Sequence, residues 1–224
     1  MNPLLQDLIL YLFPNIKNDD IIHARKYGKY AKTDIVISVN NVDKGISIKS
    51  GYNNSVHIEP INKFVKKLES YGISSENIEQ LKRYVYSDGT NNNTGEIRLS
   101  SNEYLLNNID EINTLNSALE CIKKELIRRF LIETDVKYLV PVDVFIHGSI
   151  NDFFWVTSDE VLFYLTQSDA NSNYLHVSNL YIQSWNKNLI RNNRYEHCRE
   201  YIQVKWFSMY NDIIKIMSNR NLYM

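Results

Sequence analysis

The sequence predicts an α/β fold in which helices flank a mixed β-sheet. Apolar residues recur at helical spacing near the N-terminus and in the middle of the chain, and they alternate strictly from about residue 32 and again from about residue 137. The predicted order of elements is α-α-β-β-α-α-α-β-β-α-β-β-α. Because 224 residues require no second core, we predict one domain over residues 1–224, with a core over about 1–150 and a β-rich C-terminal extension over about 151–224.

The N-terminal part of the chain predicts two helices followed by a hairpin. An apolar stripe at helical spacing stops at Pro14, which ends the first helix. Asp19 and Asp20 suit the first turn of a second helix that ends near Gly28. In "KTDIVISVNNVDKGISIKSG", residues 32–51, two alternating runs flank turn residues. This pattern predicts two paired strands.

Helices fill the middle of the chain, and strands return after it. One helix is predicted to begin at Glu59 and to end at Gly72, a second follows Ser74, and one or two more lie within about residues 102–132. The later segments are, in chain order, strands at "KYLVPVDVFIHG" and "DFFWVT", a helix at "SDEVLFYLTQ", strands at "LHVSNLYIQSW" and "EYIQVKWF", and a last helix at "WFSMYNDIIKIM".

Composition and charge narrow the class of protein. The formal net charge of -1 and the pI near 6.5 give no global basic field, so any contact with nucleic acid must come from local patches. Asp7 interrupts the apolar N-terminal run, and we therefore expect no membrane span and a cytoplasmic location. Cys121 and Cys198 have no metal or redox spacing and are expected to be reduced thiols. No nucleophile elbow or phosphate loop is present, which sets aside serine hydrolysis and P-loop chemistry.

The predicted hairpin carries the most informative polar residues. Ser47 and Lys49 lie one residue apart on its second strand and therefore share a face. Strand pairing brings Asp34, at the start of the first strand, alongside them. An acid, a lysine and a further oxygen ligand on one sheet face suit metal-assisted phosphodiester hydrolysis, because Mg²⁺ prefers hard oxygen ligands and an ammonium can orient the attacking water. The alternative is a solvated hairpin without a site.

This pattern resembles the PD-(D/E)xK nuclease superfamily, whose signature is an acid on one strand and carboxylate-x-lysine on the next. The resemblance covers about residues 32–84, roughly a quarter of the chain. Thr33 stands where the family often has proline, and Ser47 stands where it usually has Asp or Glu. Some restriction endonucleases of this superfamily also have serine there and supply the carboxylate from the following helix, which corresponds to Glu59 here.

The resemblance implies a restriction-endonuclease-like core and a catalytic set. Asp34 and Glu59 would hold Mg²⁺, with Mn²⁺ as the alternative ion, and no organic cofactor is expected. Lys49 would position the nucleophile, and Ser47 would assist it.

Several residues are candidates for contact with DNA. His57 lies between the lysine strand and Glu59, where it could donate to a phosphate or shuttle a proton, although a loop histidine without a role fits equally well. Gln80 and Tyr84 lie at helical spacing in "EQLKRY", similar to a helix motif of related nucleases. The segment "QSWNKNLIRNNRY" mixes basic, amide and aromatic groups suited to phosphates and base edges. Its basic residues are Lys187, Arg191 and Arg194.

A second acid and lysine set lies in the C-terminal half. Asp143 and the run Gln203-Val204-Lys205 repeat the spacing, but Gln203 is neutral and binds a hard cation less well. Lys205 is therefore also a candidate for a DNA contact. Hydrophobic packing is the simpler role for Trp185 and Trp206. His147 and His176 are expected to be structural residues at strand ends.

The functional prediction is a Mg²⁺-dependent endonuclease that cuts double-stranded DNA in the manner of a type II restriction enzyme. Cleavage of both strands by a small subunit favours a homodimer, and no membrane partner is expected. A non-catalytic nucleic-acid-binding or protein-interaction module on the same fold stays open because Ser47 replaces a carboxylate. An RNase also stays open, since no residue distinguishes recognition of the 2′-hydroxyl.

Overall fold

The computed structural model describes residues 2–27, 32–50, 54–96, 98–133, 139–149, 151–169, 172–185 and 198–220. These residues form two compact units. The first unit comprises the described parts of Met1–Asn54, Arg128–Leu165 and Ser208–Met224, and the second comprises those of Ser55–Ile127 and Thr166–Phe207. Each unit contains helices and one β-sheet, which confirms the predicted α/β class. The assignment of all residues to one domain stays a prediction.

The elements are, in chain order, α1 (Pro3–Leu12), β1 (His23–Lys26), β2 (Ile35–Val39), β3 (Val42–Lys49), β4 (Ser55–Pro60), α2 (Ile61–Ser70), α3 (Ser75–Tyr86), α4 (Ser101–Asn107), α5 (Ile109–Glu120), α6 (Lys123–Ile127), a π-helical turn (Arg128–Ile132), β5 (Val142–Ser149), β6 (Asp152–Thr157), α7 (Ser158–Gln167), β7 (His176–Val177), β8 (Leu180–Ser184), β9 (Tyr201–Trp206) and α8 (Met209–Ser218).

The first unit contains a five-stranded mixed sheet in the order β1-β2-β3-β5-β6. Its neighbours are antiparallel except for β3 and β5, which run parallel. The β2-β3 hairpin is confirmed, and Asn40 and Asn41 form its tight turn with φ of 50° and 65°. Asparagine tolerates this left-handed backbone better than most residues, so the sequence fixes a two-residue turn.

One face of the first sheet forms an apolar core with α1. The first helix is confirmed: the side chain of Asn2 accepts a hydrogen bond from the Leu4 amide, and Pro3 occupies the first helical turn. The helix buries Leu8 and Leu12. The sheet side of this core consists of Ile37, Val39, Ile46, Val144 and Phe153.

The second predicted helix, after Asn18, is wrong. Residues 23–26 form β1, which pairs antiparallel with β2. Side chains favour this pairing, because the Arg25 guanidinium donates to Ser38 at 2.9 Å and to Asp43 at 2.5 Å. Asp20 caps a turn by accepting from the Lys17 amide, and that hydrogen bond lowers the pKa of the Asp20 carboxyl. Long-range pairing therefore outweighs the local helical pattern.

The second unit contains an antiparallel four-stranded sheet in the order β4-β9-β8-β7. Residues 55–60, predicted as a loop leading into a helix, form β4 and pair with β9 as far as Pro60. The prediction that Glu59 begins the following helix is therefore wrong: Glu59 is a strand residue, and α2 begins at Ile61. The run "LHVSNLYIQSW" is not one strand but β7 and β8, separated at Ser178 with φ of 50°.

Helices of the second unit agree with their apolar patterns. In α2 the residues Ile61, Phe64, Val65 and Leu68 are buried, as predicted from their spacing. The Ser74 hydroxyl caps α3 by accepting from the Asn77 amide. No helix among the described residues is long and apolar enough to cross a membrane. Cys121 is exposed, Cys198 is buried, and both are free thiols.

A glycine permits the close approach of β3 to the segment before β5. A Cβ atom at Gly45 would lie 2.0 Å from the carbonyl oxygen of Pro141 and 2.9 Å from Oγ1 of Thr33. We predict that Gly45→Ala lowers the free energy of unfolding by about 1 to 3 kcal/mol, the usual range for overpacking. Urea denaturation measures this change. Val42→Ala, at a half-exposed position of the same strand, is the control and should cost under about 0.5 kcal/mol; equal losses would contradict the steric argument.

Candidate active site

Asp34 is bound to the second strand of the hairpin by both its backbone and its side chain. Its amide donates to the Ile46 carbonyl at 2.8 Å. Its Oδ2 accepts from the Ile48 amide at 2.7 Å and from the Ser47 hydroxyl at 3.4 Å. The carboxylate is thus held against the residues that immediately precede Lys49.

Ser47 and Lys49 share the sheet face that sequence alternation predicts. Ser47 is buried and Lys49 is half-buried. The face is shared by the neighbouring parallel strand, in which His147 is the register partner of Lys49. The His147 ring lies 5.4 Å from the ring of Tyr210, measured between centroids. Asp34, Ser47, Lys49 and His147 all belong to the first unit, and the role of the first three as a catalytic set stays a prediction.

His147 is a neighbour of the candidate site that sequence reasoning treated only as a structural residue. The two strands that bring it beside Lys49 are separated by almost a hundred residues and pair in parallel. Parallel partners leave no turn signal in the sequence, so the local pattern could not have revealed this contact.

The departure at Thr33 has a structural explanation. Thr33 is fully buried, and its hydroxyl donates to the Val140 carbonyl at 2.7 Å. The adjacent Lys32 ammonium donates to the carbonyl oxygens of Arg129 and Glu133. These bonds fix the chain just before Asp34, at the position where the sequence resemblance led us to look for proline.

Asp143 of the second acid and lysine set has a role in the sheet. Its Oδ2 accepts from the Gly45 amide at 2.8 Å, and its Oδ1 lies 3.1 Å from the Lys44 ammonium. The register of β3 and β5 shifts between Gly45 and Ile46. The Asp143 carboxylate therefore accepts the hydrogen bond of the Gly45 amide at the irregularity. Gln203 and Lys205 belong to the second unit, and a catalytic role for this set stays a prediction.

Glu59 lies on the buried side of β4 in the second unit. It is only 3% exposed, and its Oε1 lies 2.9 Å from Nε2 of His57. Glu59 pairs with Ile202 of β9 and His57 with Val204, and both partners are fully buried. The assignment of Glu59 as a metal ligand, and of His57 as a DNA contact, stays a prediction.

The other residues predicted to contact DNA differ in their exposure. Gln80 is buried in α3, and among the described residues nothing donates to its Oε1. Its neighbour Tyr84 is also buried, donates to the Ile182 carbonyl at 3.0 Å, and has its pKa raised by that burial. Lys205 is half-buried on β9. Lys187, Arg191 and Arg194 lie outside the described residues.

The residues around Asp34 fit one side of a Mg²⁺ site. The Ser47 hydroxyl and the Ile48 amide both donate to Oδ2 of Asp34, and no described residue donates to its Oδ1. Mg²⁺ commonly takes one or two carboxylates and completes its shell with waters and substrate phosphate. Within the described ranges, no three His, Cys, Asp or Glu residues converge as a metal-binding group. Asp34 therefore suits one ligand position, and the remaining ligands are not defined by the described side chains.

Comparison with known proteins bears on the fold. No family model and no curated protein matches the sequence. Among solved structures, the chain is similar to the crystal structure of restriction endonuclease MspI in complex with its cognate DNA, with a TM-score of 0.59 and 15% identity over 90% of this chain and 76% of that chain. The fold is restriction-endonuclease-like. This fold confirms the architecture that the sequence resemblance implied, and at 15% identity the likeness extends to the fold alone.

The contact between Asp34 and β3 can be tested without reference to activity. We predict that Asp34→Asn, which keeps an acceptor for the Ile48 amide, changes the free energy of unfolding by less than about 1 kcal/mol. Asp34→Ala removes the acceptor and should cost about 1 to 3 kcal/mol. Urea denaturation of both variants measures the difference, and identical stability of the two would argue against the bond as an anchor.

Proposed function

We propose that the protein is a Mg²⁺-dependent endonuclease that hydrolyses phosphodiester bonds of double-stranded DNA in the manner of a type II restriction enzyme. The observation that carries this proposal is the Asp34 carboxylate, held by Ser47 and Ile48 next to Lys49 on a restriction-endonuclease-like fold. The similar solved structure is a restriction endonuclease bound to its cognate DNA, which supports DNA as the substrate.

Each residue has a distinct part in the proposed reaction. Bound Mg²⁺ would stabilise the charge that develops on the phosphate and lower the pKa of a water molecule. Asp34 would hold the ion, and the Ile48 amide and the Ser47 hydroxyl fix its carboxylate through Oδ2. Lys49 orients the attacking water and offsets negative charge near the scissile phosphate. The buried Ser47 restrains the carboxylate and brings no charge of its own.

The remaining assignments extend the same proposal. Glu59 is the second metal ligand suggested by the sequence resemblance, and its 2.9 Å contact with His57 would hold the carboxylate in place. Cleavage of both DNA strands favours a homodimer. The DNA contacts proposed from the sequence are His57, Gln80, Lys187, Arg191, Arg194 and Lys205.

Metal-dependent nicking of supercoiled plasmid tests the proposed activity. We expect nicking with Mg²⁺ or Mn²⁺ and none with EDTA, and Lys49→Ala should reduce the rate by at least about 100-fold. Lys44→Ala is the matched control, because Lys44 lies on the opposite face of the same strand and pairs with Asp143 at 3.1 Å. Equal activity of the two lysine variants, or no cleavage of any DNA, would contradict the proposal.

The Glu59 assignment needs its own test, because the residue is buried and paired with His57. We predict that Glu59→Gln raises the Mg²⁺ concentration for half-maximal nicking by about tenfold or more, since it removes a charged ligand. His57→Gln breaks the same pair and leaves the carboxylate, so it serves as the control for a structural effect. Glu59 would lose its role as ligand if both variants showed the same metal dependence.

The second candidate is a non-catalytic module that binds nucleic acid on this fold. Two observations favour it: Ser47 occupies the position of a carboxylate, and the described residues contain no group of three metal-ligating side chains. This candidate predicts that duplex DNA binds with equal affinity in EDTA and in Mg²⁺, and that no divalent ion supports nicking.

A further inference from the structure

The second sheet carries a polar and aromatic face. Strand alternation puts Tyr181 and Gln183 of β8 on the same side as Tyr201, Gln203 and Lys205 of β9. All five are partly exposed, whereas Ile182, Ile202 and Val204 between them are buried. We call this side the outer face. Its remaining strand positions are Ser55, Ile58 and Pro60 of β4 and His176 of β7.

Amides form a fixed row across the middle of the outer face. The Gln203 amide donates to the Ser55 hydroxyl at 3.0 Å, and its carbonyl oxygen accepts from Nε2 of Gln183 at 3.0 Å. The row spans three neighbouring strands. Gln183 ends the row: it donates one side-chain N–H to Gln203, and among the described residues its carbonyl oxygen and second N–H have no hydrogen-bond partner. A fixed amide with one acceptor and one donor side by side matches the edge of a nucleobase such as adenine.

Aromatic rings flank this row on both sides along the strands. On one side, Tyr181 lies 5.3 Å from Phe207 with the rings tilted by 69°, and Phe207 is 56% exposed. On the other side, Trp185 lies 5.6 Å from Tyr201 with a tilt of 66°. Tyr181 also lies near the rings of Tyr174 and His176, at 6.2 and 6.4 Å, so the exposed Phe207 is the principal stacking surface on its side. The outer face therefore combines stacking surfaces with hydrogen-bonding groups between them.

The charge of the outer face suits a polyanion. None of its described strand positions is Asp or Glu, although the chain contains 26 acidic residues. Its one lysine, Lys205, lies between Tyr181 and Ser55 in register, with its ammonium 5.6 Å from the centroid of the Phe207 ring. An ammonium beside a stacking surface can reach the phosphate that follows a stacked base.

We infer that the outer face binds unpaired nucleotides, with bases stacked on Tyr181, Phe207, Tyr201 and Trp185 and a base edge bound by Gln183. The width of the sheet favours single strands over an intact duplex. Four strands spaced about 4.8 Å apart extend about 14 Å before side chains are counted, whereas the DNA major groove is about 12 Å wide. Stacking of bases on sheet aromatics is also how common RNA-binding sheets hold single strands. This inference goes beyond the proposed cleavage of duplex DNA and does not depend on it.

Fluorescence anisotropy with labelled 12-nucleotide oligonucleotides tests the inference on the full chain in EDTA, where no metal chemistry takes place. We expect the double variant Tyr181→Leu, Phe207→Leu to bind single-stranded oligo(dT) at least about tenfold more weakly than the unmodified protein, as expected for loss of base stacking. Oligo(U) is measured in parallel and shows whether deoxyribose or ribose strands are preferred.

Three controls separate stacking from other effects. Tyr181→Phe keeps the ring and should bind as the unmodified protein does. Tyr11→Leu removes an exposed ring of the first unit, paired with Trp155 at 5.0 Å, and should also leave binding unchanged. Asp34→Asn should abolish nicking under the proposed function and leave single-strand binding intact, so the two proposals fail separately. The inference is overturned if the unmodified protein does not bind single strands, or if the double variant binds them as well as the unmodified protein does.

Discussion

The hydrogen bond from the Ile48 amide to Asp34 is the interaction on which the candidate site depends. The backbone of Asp34 makes a ladder bond to Ile46, and its carboxylate then takes the next donor along the strand, the Ile48 amide. The side chain thus continues the pairing at the point where β2 begins. Because a short acidic side chain does this, the carboxylate must lie close to Ser47 and to the residue before Lys49, and no described residue donates to its Oδ1.

The parallel pairing of β3 with β5 brings residues of β5, among them His147, beside the candidate site. Gly45 permits close approach to Pro141, and Asp143 satisfies the Gly45 amide at the register shift. Beyond that shift the two strands run in regular register to Lys49 and His147. Asp143, the acid of the second predicted set, therefore contributes to the register of the strand that carries Lys49. Open α/β sheets place ligand sites at the carboxyl ends of parallel strands, which is where Lys49 and His147 lie.

Sequence patterns predicted the local parts of this fold and missed those that depend on distant partners. The hairpin, α1, α2 and α3 follow from alternation, apolar spacing, caps and the Asn40-Asn41 turn, which all act within a few residues. In contrast, β1 and β4 are short and polar, and β4 becomes a strand only because β9, more than 140 residues later, pairs with it. The same limit applies to the site. Asp34, Ser47 and Lys49 belong to one hairpin, so their proximity follows from a local pattern, whereas the position of His147 and the strand position of Glu59 are set by long-range pairing.

Ser47 in place of a carboxylate changes the electrostatics of the proposed site. Two carboxylates this close would repel each other without a cation, which raises the pKa of one of them and destabilises the metal-free fold. Ser47 is buried and bonds to Asp34 as a neutral hydroxyl, so this end of β3 carries the one carboxylate of Asp34 beside the one lysine, Lys49. Under the proposed function, Asp34 and Glu59 would hold Mg²⁺, and the phosphate of bound DNA would complete the ligand set. Under the proposed function, metal and DNA would therefore bind cooperatively, since each supplies ligands or charge that the other requires.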